Sequence, residues 1–199
     1  MLRFDVDLDD LAGSLKREAS YVGGAVLGRH EDILGSTNHE YRRVDDGFLG
    51  HIQNFAIKET YRYRLIRREL VSFHFVIEGQ VWFPTVARDS RTTTGRLRIT
   101  ANFCRESELR ASAKPFRAIG LYVDKQKLVD DFGLMPDRLP EHIKPLFLKG
   151  GVAQTLEMSL CPASWLAVED LTSSRFCGRL REAYFNAKAQ ELICLVVSR

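Results

Sequence analysis

The sequence predicts an α+β fold, a small antiparallel sandwich or barrel followed by a C-terminal pair of helices. Between Phe48 and Val123, apolar residues recur with a period of two in short runs rich in aromatic and β-branched side chains, the signature of half-buried strands. From Pro162 onward the alternation gives way to helical composition. The last stretch, Gly178–Val197 (GRLREAYFNAKAQELICLVV), has no proline and no glycine after its first residue.

Residues 1–50 are the least patterned. Leu8, Leu11 and Leu15 are spaced for a short amphipathic helix over 8–21, and glycines at 23, 24, 28, 35, 47 and 50 divide the remainder of the segment into turns. Arg42, Arg43, Asp45 and Asp46 read as a solvated loop whose charges cancel. Strands are predicted at 50–57, 59–66, 70–77, 80–86, 96–103 and 116–123, with Pro84 marking an edge or a bulge. The short polar breaks between the first three favour antiparallel pairing of neighbours in sequence. Glu78-Gly79 reads as a tight turn and 88–95 as a polar turn region. Asp124 caps a short helix that Gly133 ends, and Pro136, Pro140 and Pro145 make an irregular connector with a helical turn at 141–148. Residues 151–160 alternate strictly and supply the last strand. Two helices complete the chain, at 162–171 and 178–197.

Composition narrows the function classes. With 199 residues, 45% of them hydrophobic, the chain can bury a proper core. A net charge of +3 is too small to imply a polyanionic partner by itself. Cys104, Cys161, Cys177 and Cys194 lie far apart in no metal-binding pattern, and they read as reduced, mostly buried thiols. The N-terminus is acidic, and no apolar run reaches the ~20 residues of a membrane span. These features predict a cytoplasmic protein with no membrane partner.

Signals for catalysis are thin. His74 and Glu78, followed by Gly79, match half of a metal-cupin signature, but Ser72 stands where a paired histidine would be and His142 lies in the proline-rich connector. A metal-dependent cupin enzyme using His74 and Glu78 is therefore the alternative reading, and no metal, cofactor or catalytic residue is expected. The sequence has no GxSxG, and neither Gly23-Gly24 nor Gly150-Gly151 has the flanks of a phosphate loop. A binding pocket is better supported. Tyr61 and Tyr63 share one strand face, Phe73 and Phe75 lie on the apolar face opposite His74, and Trp82, Arg98 and Asn102 add an aromatic and hydrogen-bonding groups. Apolar walls with a few placed polar groups suit a small-molecule site. These eight residues are the candidate ligand contacts.

Leu180, Ala183, Tyr184, Ala187, Glu191 and Cys194 fall near one stripe of the last helix, which ends in six consecutive apolar residues, Leu192–Val197. Such a surface needs a cover, either the chain's own barrel or a second copy. The stripe is the predicted homodimer interface.

The same stretch, with the strand and short helix before it, resembles the end of the sensory domain of AraC-type transcription regulators. It is similar in particular to the branch that controls siderophore uptake. The matching residues are Gly178, Leu180, Arg181, Tyr184, Ala187, Lys188, Glu191 and Leu192, and Leu70–Gly79 resembles an early strand of that domain. The resemblance covers residues 50–199 loosely and the helix closely. It implies a cupin-like antiparallel β-barrel that binds an effector, a ferric siderophore or another small molecule, followed by dimerising helices. On that basis the chain divides into an N-terminal segment with a short helix (1–47), the barrel (48–160) and a helical dimerisation segment (161–199). No recognition helix comes after Val197, so DNA contact is expected only through a domain outside these residues, removed by excision or absent by natural truncation.

Overall fold

A computed structural model describes residues 2–7, 25–32, 35–57, 61–66, 70–84, 89–101, 106–111, 115–135, 137–147, 154–173 and 175–198, with side chains at 39–56, 70–82, 91–101, 115–135, 137–147, 154–173 and 175–198. The helix expected at 8–21, Asn102 and Cys104 lie outside these residues.

Among the described residues, twelve strands form two sheets. The larger has the order β12 (Gln154–Ser159), β9 (Arg96–Ala101), β6 (Leu70–Glu78), β11 (Pro115–Asp124), β4 (Phe48–Ile57), β3 (Gly35–Asp45), β2 (Ala25–Asp32). The smaller has the order β1 (Leu2–Asp7), β5 (Tyr61–Ile66), β10 (Glu106–Ala111), β7 (Gln80–Pro84), β8 (Asp89–Thr93). Every pairing is antiparallel except β1 with β5. The helices are α1 (Lys125–Phe132), α2 (Lys144–Phe147), α3 (Pro162–Ser173) and α4 (Gly178–Val197). The architecture is an α+β cupin-like barrel with its C-terminal helices packed on the outside of the larger sheet.

Strict alternation makes the larger sheet two-sided. Phe48, Ile52, Val71, Phe73, Phe75, Leu97, Ile99, Ile119, Leu121 and Val123 all join the apolar core that α1, α3 and α4 cover with Leu128, Val168, Leu171, Phe185, Leu192 and Ile193. Fully burying each side chain of this size contributes roughly 1.5–3 kcal/mol, so the helices are held mainly by this face. Gly50 lets α4 approach. A Cβ there would sit 2.3 Å from Cζ of Phe185, a ring that is fully buried against β4.

Several expectations need correction. The first three predicted strands do not pair with one another: β11 separates β4 from β6, and β5 belongs to the other sheet. Hydrophobic period fixes which residues share a face but not which strand lies alongside which, because long-range pairing depends on the whole sheet. The glycine-divided region before residue 48 holds β2 and β3, which extend the larger sheet, so the barrel starts N-terminal of that boundary. Polar residues 89–93 form β8, and β10 and β1 carried no strand expectation at all. Arg42 is buried rather than solvated, because β3 runs on to Asp45 and turns alternate side chains under the helices. Cys177 and Cys194 are exposed and Cys161 is half-buried, none of the three in a disulfide, because the first two lie at the start and on the outer face of α4.

Candidate functional site

The inner face of the larger sheet is polar to an extent its outer face is not. Reading across the ladder, Glu157 pairs with Arg98, Arg98 with His74, His74 with Gly120, Gly120 with His51, and His51 with Tyr41. The neighbouring rows add Ser72, Thr100 and Tyr122 on one side and Gln53 and His39 on the other. All these residues except Glu157 are buried, most within 3% of zero exposure. A face so polar and so dry has to satisfy its own hydrogen-bonding groups or hold something that does.

Much of it is satisfied internally. His39 Nδ1 lies 2.8 Å from His51 Nε2, so one imidazole N–H donates to the other ring's bare nitrogen. Tyr41 stacks on His51 with ring centroids 4.1 Å apart, and His39 stacks on both. Burial pushes the His39 pKa down to about 4, and it holds His51 well below the usual imidazole range, with the neighbouring His39 and His74 adding to the effect. The pair is therefore neutral at physiological pH. Arg98, 2% exposed, donates through Nη1 to Glu157 Oε1 at 3.2 Å, and Thr92 of β8 donates to the same oxygen across the barrel. Burial lowers the Arg98 pKa while Glu157 opposes that shift.

On this face, Gln53 Oε1 and Ser72 Oγ are buried with no hydrogen-bond partner among the described residues. They flank Gly120, where a Cβ would lie 2.9 Å from the Tyr122 hydroxyl and 3.3 Å from His74 Cε1. Gly120 thus clears the space in which Tyr122 and His74, at ring centroids 5.6 Å apart, meet edge to face. The arrangement offers imidazoles, a phenol, an amide and a hydroxyl around one small-residue position. That chemistry suits recognition of a small polar molecule. Among the described residues no group of three His, Cys, Asp or Glu could hold a metal ion. Glu78 is turned outward, with its side chain 45% exposed and 4.0 Å from Arg117.

The predicted ligand contacts are divided. His74 and Arg98 belong to this inner face. Phe73 and Phe75 do not, because the apolar side of β6 is taken by the helices. Trp82 is half-buried and alternates with Val81, which pairs with Thr92, so it lies on the face of β7 turned away from Arg98. Tyr61 and Tyr63 sit in β5 of the smaller sheet, paired with Ala111 and Leu109. Sequence reasoning missed His39, His51, Gln53, Ser72 and Tyr122. His51, Gln53 and Ser72 carried a usable signal as polar positions in alternating runs whose other phase is apolar, whereas β3 has no apolar phase around His39 and Tyr122 shares its face with Phe116, Ala118 and Gly120.

The six predicted interface residues fall together. Leu180 is 61% exposed, Ala183, Ala187, Glu191 and Cys194 are exposed, and Tyr184 is half-buried against Phe176 at 4.8 Å between ring centroids. The opposite face of α4, with Arg181, Phe185, Ala189, Leu192, Ile193 and Val196, is buried on the chain's own barrel.

No family model matches the sequence, and no curated protein matches it. Solved structures do align. The AraC-like transcriptional activator CuxR aligns with a TM-score of 0.47 and 12% identity over 95% of this chain and 66% of its own. An apo ToxT variant from Vibrio cholerae gives 0.48 and 10% over 78% of this chain and 57% of its own. The plu4264 protein from Photorhabdus luminescens gives 0.38 and 12% over 53% of this chain and 88% of its own. Each is a partial likeness. No described helix is long and apolar enough to cross a membrane.

Proposed function

We propose that this chain is the effector-binding and dimerising part of an AraC-type transcription regulator, non-catalytic and cytoplasmic. The observation that carries the reading is the two-faced α4. Its inner face is consumed by the barrel, and its outer face bears all six residues of the predicted dimer stripe, in the helix that resembles the end of the AraC-type sensory domain. A small molecule bound among His74, Gln53, Ser72 and Tyr122 shifts the population between two dispositions of the helical pair. DNA contact belongs to a separate domain and to no residue of this chain. The resemblance to the siderophore branch makes a ferric siderophore the first effector to test.

The experiment is thermal unfolding of the purified chain with a ferric catecholate siderophore and, separately, with its iron-free form. A ligand that binds only the native state raises the midpoint. The reading predicts a rise with the ferric form that Ser72→Val or Gln53→Leu abolishes. Equal midpoints with and without the ferric form would remove siderophores from consideration. Stoichiometric metal found by elemental analysis of the unliganded protein would overturn the non-catalytic sensor in favour of a metal-dependent cupin enzyme.

A further inference from the structure

We propose that β3 relays the state of the barrel interior to the helical pair, with Glu40 as the relay and Arg181 of α4 as the receiver. This rests on the sensor reading above and specifies how the interior is coupled to α4. The strand is built for it by alternation: His39 and Tyr41 point inward and stack on His51, while Glu40 and Arg42 point outward beneath α4. Outside, Glu40 Oε1 accepts from Arg42 Nε and from Arg181 Nε at 3.4 Å, and Oε2 accepts from Arg181 Nη2 at 3.3 Å. Arg181 Nη2 also donates to the carbonyl of Leu171 in α3 at 2.8 Å. One guanidinium therefore ties together the barrel, α3 and α4. Arg42 completes the junction, its guanidinium carbon 5.9 Å from the centroid of the Phe185 ring that fills the space above Gly50.

Two features make this junction responsive rather than merely cohesive. The side chains of Arg181 and Glu40 are only 8% and 15% exposed, so water does not readily replace a contact that is lost. The two Arg181–Glu40 bonds are also long beside the 2.8 Å bond from Arg181 to Leu171, so the side facing the barrel is the weaker half of the junction. Any rearrangement of the His39–Tyr41–His51 stack moves the β3 backbone, and Glu40 moves with it. Leu180 and Tyr184, on the outer face of α4, lie one and three residues from Arg181 and change their presentation when it lets go.

Native-state amide exchange of α4 tests the relay without any effector. His51→Gln should raise exchange of the α4 amides at 181–186 about tenfold while β11 amides stay unchanged, the mark of a local opening. Arg181→Gln should do the same, and the double variant should exceed Arg181→Gln by nothing, since the shared route is already cut. Unchanged α4 exchange in His51→Gln, or multiplied effects in the double variant, would overturn the proposal. His39→Gln gives the same readout if His51→Gln fails to fold. Failure to bind any effector, with the exchange pattern as predicted, would sink the sensor reading, whereas multiplied effects would sink the relay alone.

Discussion

The histidines of the inner face set how stability responds to pH. His39 titrates near 6.5 when unfolded and near 4 in the fold, because burial penalises its charged form, and burial likewise holds His51 well below the usual imidazole range. Above pH 6.5 both states are neutral and the effect vanishes. As pH falls from 6.5 towards 4, the unfolded chain takes up protons that the native chain refuses, and stability declines by up to about 1.4 kcal/mol per pH unit for each histidine. Urea unfolding between pH 7 and pH 5 should show this decline, and His39→Gln should flatten it; an unchanged slope in that variant would assign the effect elsewhere. Gly50→Ala supplies a second check. The added methyl meets the buried Phe185 ring, and overpacking of this kind costs about 1–3 kcal/mol, more than an alanine gains over glycine in a strand. The denaturation midpoint reports the outcome. Neither feature was evident from residue type alone: a histidine in GHIQNFAI is ordinary until His39 from another strand arrives at 2.8 Å.

At the scale of elements, the sequence was most legible where period and capping act locally. α4 begins and ends where composition placed it, α1 ends at its glycine, and β6, β9, β11 and β12 lie within a few residues of their alternating runs. It was least legible where a strand is polar on one face and charged on the other. β3 reads GSTNHEYRRVD, with no apolar phase, because its outer positions bury an ion cluster under α4 instead of a hydrophobic stripe. The candidate site suffered for the same reason, since Phe73 and Phe75 drew attention by size while the polar phase beside them lined the interior. The two faces of α4 should respond differently to substitution. Leu192→Ala empties part of the core and costs about 2–5 kcal/mol, whereas Leu180→Glu alters an exposed position and changes stability of the isolated chain by less than about 0.5 kcal/mol. Matched urea titrations of the two variants distinguish them. A large loss in Leu180→Glu under conditions where the chain is monomeric would mean that the outer face already serves the chain's own fold.

For the whole molecule, the seven-stranded sheet is the organising surface. One side holds the helices through an apolar core, the other encloses a buried polar row, and β3 touches both. That division suits a domain in which an enclosed small molecule alters an exposed helical face, and it is the physical basis for reading the chain as a sensor that works as a dimer. The outer face of α4, from Leu180 to Cys194, is what the dimer would bury. Sedimentation velocity of the unmodified chain at high micromolar concentration, alongside Tyr184→Glu, tests this most directly. A dimer that Tyr184→Glu converts into a folded monomer is the predicted result. A monomer for the unmodified chain across that range would contradict it.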